Sequence, residues 1–301
     1  MRSGTILGLA FSVITTLAAA ASPPDAPGPY ETEIATWRAQ RLARLTTPDG
    51  WLSLIGLHFL QDGPNTVGSA PDNAIVLAKG PAHFGKISVL EGGVITADLA
   101  ADADARIDGR AVLTGELRWR SDVRPSIVSA GPVSFFVIER GGKKALRVKD
   151  RESERRTHFL GLDYFPIDPA WRIEAQWVEF DEPRRVPITN ILGQTESAIV
   201  RGEAVFEHDG RKFKLLPIDE GPGEPLFFVI SDATTGKETY GAARFLYADA
   251  PVDGKVVLDF NRLENPPCAF TPFATCPLPP KENRLTFAVS AGEKDYRGEH
   301  K

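Results

Sequence analysis

The residues whose types and spacing suit chemistry gather near the C-terminus. In DFNRLENPPCAFTPFATCPLPPKENRL, residues 259–285, Asp259, Asn261, Arg262, Asn265 and Asn283 flank the chain's two cysteines, Cys268 and Cys276, while Arg244 and Tyr247 precede them. A guanidinium, a carboxylate and amides converging on one point recognise a small polar ligand. The same side chains also cap turns in a loop whose prolines leave it short of backbone donors, and that structural role is the reading the residues favour. Alternation along Lys255–Phe260 places Asp259 with Lys255 and Val257, opposite Leu258 and Phe260. A hairpin through ADAPVDG then brings Arg244 across from Asp259. The expected ligand-binding set is Arg244, Asp259, Asn261 and Asn265, under a loop closed by the cysteines.

Cys268 and Cys276 have seven residues between them. In an oxidising compartment such a pair is expected to form a disulfide, worth roughly 2–3 kcal/mol for a short loop. The alternatives are a nucleophilic cysteine or half of a metal site.

Other motifs narrow the field. There is no H-E-x-x-H, G-x-S-x-G or S-x-x-K; TTGKET keeps only Gly236 and Lys237 of a phosphate loop, and GPGEP lacks the third glycine of a dinucleotide turn. The five histidines, His58, His83, His158, His208 and His300, include no pair at i, i+2 or i, i+4. Neither a metal nor another cofactor is therefore expected. His58 lies in the apolar run SLIGLHFL and reads as a core histidine. His158, beside FLGLDYF, joins Asp259 as the acid–base groups of an alternative reading, a hydrolase or transferase.

The elements that must position these groups are mostly strands. After the Pro-rich SPPDAPGPY, Ile34, Trp37, Arg41 or Leu42, and Leu45 recur at helical spacing, with acids first and arginines last. That helix is expected to dock its apolar stripe on a sheet. From Trp51 onward short period-two runs follow, with two-residue turns at Asp108-Gly109, Gly141-Gly142 and Asp209-Gly210 marking hairpins. Further strands are expected at Ile87–Leu90, Val94–Leu99, Trp171–Phe180, Leu226–Ser231, Ala242–Tyr247, Lys255–Phe260 and Leu285–Ser290. Six prolines between Asn261 and Asn283 exclude a regular helix or central strand there. With 27 Gly and 24 Pro among 301 residues, many short strands fit better than a bundle.

At the N-terminus, MRSGTILGLAFSVITTLAAAAS carries Arg2, a short apolar stretch and alanine-rich cleavage sites, the pattern of a secretory signal peptide. A periplasmic or secreted chain without a transmembrane span is expected. With 35 basic and 40 acidic residues the surface is mildly acidic, which disfavours nucleic acid as a partner. The basic cluster from Lys143 to Arg156 is interleaved with Asp150, Glu152 and Glu154 and reads as a solvated strand face.

The strings GAARFLYAD, LDFN, NPPCAF, CPLPP and ENRL, with WLSLIGLHFL and FLGLDYFPIDPAWRIEA before them, resemble the bacterial family called domain of unknown function 1684. That family name implies no activity. After LDFNR the family pattern has a small residue and an aromatic where this chain has Leu263 and Glu264, which puts ligand contacts at those two positions in doubt. NTVGSAPDNAIVL, His83 and ARIDGRAV are similar to a forkhead-associated β-sandwich. Its phosphothreonine-reading residues are absent, since Ser69 follows Gly68 and Gly80, Pro81 and Ala82 precede His83. The expectation is thus mainly β: signal peptide 1–21, lead and helix 22–50, a forkhead-associated-like β-sandwich 51–160, and a second antiparallel β domain 161–301 with the Pro/Cys loop. An exported module binding a small polar ligand or an envelope component is the first functional reading, with the enzyme and a structural or assembly role as alternatives.

Overall fold

The computed structural model describes Met1 and residues 28–120 and 122–298. The expected signal peptide, and His300, lie outside the described residues. The chain is mainly β, and among the described residues no helix is long and apolar enough to cross a membrane.

The first helix, α1, spans Pro29–Leu45, with Pro29 and Glu31 in its first turn and Arg44 in its last. Ten short strands follow: β1 Leu54–Phe59, β2 Gly63–Gly68, β3 Ile75–Val76, β4 Gly85–Val89, β5 Ile95–Leu99, β6 Arg106–Ile107, β7 Thr114–Glu116, β8 Val128–Ala130, β9 Val133–Arg140 and β10 Lys143–Asp150. They form two five-stranded sheets, β1-β10-β9-β8-β6 and β3-β2-β4-β5-β7. Inward residues of both, among them Val67, Phe84, Ile87, Ile95, Phe135 and Val148, share one core, the expected sandwich.

After a one-turn helix, α2 at Glu154–Thr157, the second half is built on a long ribbon of β11 Arg172–Thr189 and β12 Thr195–His208. It is flanked by β13 Arg211–Leu215 and β16 Lys255–Asp259 in the order β13-β12-β11-β16, while β14 Leu226–Ile230 and β15 Arg244–Ala248 pair separately. Phe206, Phe228, Leu246, Leu258 and Phe260 lie in the core between them. The two-residue turns behave as their sequences require: Asp209 and Gly210 have φ of 49° and 71°, the left-handed angles that such hairpin turns demand.

Three expectations are corrected. Leu285–Ser290 is not a strand; the Val289 amide donates to the Asp232 carboxylate at 3.1 Å and the Leu285 amide to the Ser231 carbonyl at 2.8 Å. Buried Leu285 and Val289 thus imitate a strand's alternation while the backbone finds irregular partners. Helix α1 docks on the C-terminal loop and not on a sheet: Leu45 packs with Leu52, Ala269 and Phe270, and of the two residues that compete for its stripe, Arg41 is buried and Leu42 exposed. Finally, Cys268 and Cys276 are free thiols, both buried, and the expected disulfide is not formed. The loop is closed without it by a tight turn at Pro267–Ala269, by the Cys268 amide donating to Cys276 Sγ at 3.2 Å, and by the Tyr240 hydroxyl donating to the Cys268 carbonyl at 3.1 Å. Hydrogen bonding from Cys276 and Tyr240 holds the Cys268 pKa down, whereas the bond to Cys268 and burial push Cys276 up.

Candidate functional site

The four residues expected to meet a ligand are all buried, in separate networks. Arg244, on β15, is paired with Asp232 at 2.9 Å and not with Asp259. It also donates to the backbone carbonyls of Ala291, Val289 and Glu293, stapling the C-terminal segment to β15. The reason is pairing: β15 bonds to β14 and β16 to β11, so no hairpin ladder sets Arg244 opposite Asp259.

Asp259 and Asn261 form a second network with α1. The Tyr30 hydroxyl donates to Asp259 at 2.8 Å, and the Asn261 amide donates to the Tyr30 oxygen at 2.9 Å and to the Asp168 carbonyl at 2.8 Å. Asp259 lies at the end of the face that alternation assigns it, where Tyr30 covers it, while Lys255 and Val257 on the same face are exposed. Arg262, three residues on, is ion-paired to both Asp259 and Glu33.

Asn265 belongs to a third and denser network. Its amide N–H donates to Glu293 Oε2 at 2.7 Å and its side chain to the Lys294 carbonyl at 2.7 Å, while its carbonyl accepts from Arg41 at 2.9 Å. The side-chain oxygens of Asn265 and of Tyr164 are buried without a hydrogen-bond partner. Arg41 is the hub: its Nε lies 2.9 Å from Glu293 and 3.2 Å from Glu264. Burial opposes the charge on Arg41, but the two carboxylates outweigh it and hold its pKa above the usual range.

Glu264 is the member of this network that reaches a cavity. Together with Arg41, Arg44, Trp37, Trp51 and Tyr247 it lines a cleft of about 600 Å³ under α1. Its side chain is 13% exposed. Burial pushes its pKa up to about 7; Arg41 and Arg44 pull the other way, and Glu293 adds to the rise. The Tyr247 ring stacks on Phe227 at 5.0 Å, and burial together with Glu264 and Glu220 raises its phenol. A second cleft of about 600 Å³ adjoins the first, sharing Tyr247, Asp249 and Arg262 and adding Asp259. Of the expected ligand set, Asp259 alone lines either of these two clefts.

Leu263 is fully buried in the second core, whereas Glu264 forms the floor of the cleft. No sequence signal marked Glu264, because the groups that shape its chemistry, Arg41 and Glu293, stand at opposite ends of the chain. His158 lines a different cleft with Lys79, Asp150 and Ser153, so the acid–base pair of His158 and Asp259 is not assembled. His58 is half-buried on β1 with its pKa lowered by burial. Among the described residues no group of three or more His, Cys, Asp or Glu side chains is arranged to hold a metal ion.

Fold and site define a mainly β protein with a ligand-sized, aromatic-walled cleft between its N-terminal helix and its C-terminal loop. Residues 157–294 match the family described as "Protein of unknown function (DUF1684)". No curated protein matches it. Among solved structures, the solution NMR structure of an uncharacterized protein of Haloarcula marismortui is 31% identical, over 48% of this chain and 81% of that one, with a TM-score of 0.40.

Proposed function

We propose that this chain is an exported binding module of the cell envelope, whose small-molecule ligand enters the cleft under α1. One observation carries the reading: a largely buried carboxyl, Glu264, stands at the floor of a cleft walled by Trp37, Trp51 and Tyr247. Apolar walls with a few directed polar groups are how small-ligand sites are made, and titratable groups displaced toward neutrality concentrate in such sites. Asp259 extends the polar lining into the adjoining cleft. The pairing of Arg244 with Asp232 and three backbone carbonyls, and of Asn261 with Tyr30 and Asp168, favours a supporting role for those two residues, behind the site. Export rests on the leader pattern of residues 1–21 and on no other observation.

Native mass spectrometry of the protein purified from its own envelope is expected to find a co-purifying small molecule. That molecule should be lost from Trp37→Ala while the melting temperature is kept. Recovery of ligand-free protein, together with failure of cell-envelope small-molecule extracts to quench the fluorescence of Trp37 and Trp51, would overturn the reading.

A further inference from the structure

Three cations on the outer face of the sheet β1-β10-β9-β8-β6 have no carboxylate within ion-pair distance among the described residues. Alternation sets Arg147 and Lys149 of β10 on that face, and pairing across the ladder sets Phe136 of β9 opposite Arg147. Arg140, four residues after Phe136, joins them. The face meets the cysteine loop, where Arg140 donates to the Thr275 hydroxyl at 2.8 Å. The acids around it are engaged elsewhere: Asp49 with Arg151 at 3.2 Å, Asp150 with Lys79 at 2.9 Å and Glu139 with Lys144 at 2.7 Å.

Arg147 is the deepest of the three. It is 6% exposed, and its Nε is buried without a hydrogen-bond partner. The Trp51 ring, centred 5.1 Å from its guanidinium carbon, stacks on it, but an indole face restores only part of the hydration that burial removes. Burial, and after it the like charge of Arg140, lower the Arg147 pKa to about 10, so the group is still charged at neutral pH. Cys276 pulls the other way, yet its bond to Cys268 and burial hold its own proton on. The thiol is therefore not the counter-charge. A buried guanidinium with a second one beside it suits an oxyanion, because the planar fork matches paired oxygens on phosphate, sulfate or carboxylate. Phe136 and Arg140 also line a cleft of about 1050 Å³ against Thr195 and Glu196 of β12, which gives an ion a route to this face.

We propose that the seam between the outer face of β9 and β10 and the cysteine loop binds a small oxyanion, held by the Arg147 guanidinium with Arg140 and Lys149 beside it. This site is separate from the cleft under α1, although Trp51 lines that cleft and stacks on Arg147. It does not depend on reading that cleft as a ligand site.

Sodium phosphate, sodium sulfate and sodium acetate would be titrated into the full chain in an oxyanion-free buffer, with ionic strength held by sodium chloride. Trp fluorescence follows occupancy through Trp51, and scanning calorimetry reads stability. The expected result is a saturable change of emission and a melting temperature that rises by about 3–5 °C for each tenfold increase above the dissociation constant. Phenyl phosphate tells the sources apart: tighter binding than inorganic phosphate assigns the site to the acidic group of a larger molecule, and equal or weaker binding to the free ion. Arg147→Met should abolish the response. It should also cross the native chain in stability, melting at or above it without oxyanion, where an uncompensated buried charge is gone, and below it in phosphate. A variant that melts below the native chain by the same margin in both buffers would make Arg147 a packing residue of the seam and overturn the site. An oxyanion response kept in full by Arg147→Met, or absent from the native chain, would overturn it as well. If Arg147→Met does not fold, Arg140→Gln carries the test: binding should weaken by about tenfold, and unchanged binding would overturn the proposal. Trp37→Ala should bind the oxyanion as the native chain does. Loss of the response there would move the ion into the cleft under α1, overturning the seam site and leaving that cleft as a ligand site.

Discussion

At the scale of single residues, Glu264 makes the stability of the fold depend on pH with a definite sign. Its carboxyl moves from an ordinary value of 4.5 to about 7 on folding. Below pH 4.5 both states hold the proton and the group contributes nothing. Between 4.5 and 7 the folded chain keeps a proton that the unfolded chain has lost, so stability falls as pH rises. Above 7 the loss is complete, about 3 kcal/mol at 1.36 kcal/mol per unit. Glu264→Gln should flatten this part of the profile in urea titrations from pH 4.5 to 7.5, and an unchanged slope would show that burial does not raise the group. Arg244 behaves in the opposite manner, because its charge is matched. Removing it by Arg244→Met leaves Asp232 and three backbone carbonyls short of a donor, at a cost of about 3–5 kcal/mol. Asp232→Asn introduced on top of Arg244→Met should cost less than it does alone, and strict additivity in the double-mutant cycle would rule out the coupling.

At the scale of elements, Gly292 decides whether the C-terminal segment reaches the cluster. It has a φ of 77°, and a Cβ there would stand 2.6 Å from the Leu263 carbonyl. Only glycine allows the segment to lie against the turn after β16 and so to set Glu293 on Arg41. Gly292→Ala should destabilise the fold by about 1–3 kcal/mol, seen as a lower melting temperature, and a neutral effect would show that the segment has room to shift. The same elements explain what the sequence disclosed. Hairpins at Asp209-Gly210 and Gly141-Gly142 were legible because two adjacent residues encode the whole turn. Most strands were legible from alternation and the loop of tight turns after β16 from proline, whereas the sandwich was expected only from a resemblance. The strand assigned to Leu285–Ser290 failed because burial period alone does not say where amides donate. The cluster of Arg41, Glu264 and Glu293 was not legible for a related reason: Arg41 reads as a charge in the last turns of a helix, and only contact across the fold brings the three together. Asp259 and Asn261 stood out in the sequence as polar groups, but Tyr30, whose hydroxyl they share, lies 229 residues from Asp259.

At the scale of the whole molecule, chain order and packing order differ. Helix α1 precedes the sandwich in sequence and yet belongs to the C-terminal half, through Tyr30 to Asp259 and Asn261, Arg41 to Glu264 and Glu293, and Leu45 to Ala269 and Phe270. The sandwich is tied to the same half where Arg147 of β10, buried and stacked on Trp51 at 5.1 Å, lies beside Cys276, and where Arg140 donates to Thr275 at 2.8 Å. It follows that residues 161–298 alone lack part of their own core. Without α1, Glu293 stays buried or partly buried with no Arg41 to neutralise it, an uncompensated charge that costs several kcal/mol, and Phe270 loses an apolar neighbour. A chain of residues 161–298 should therefore melt well below one in which residues 28–50 are joined to it by a flexible linker, and a synthetic peptide of residues 28–50 added in trans should recover part of the difference. Arg41→Met in that peptide should recover less than the native sequence does. Equal melting temperatures with and without the helix would mean that the C-terminal half closes its polar cluster by itself. In that case α1 would serve only to form the cleft, and Trp37→Ala would remain the variant that separates binding from folding.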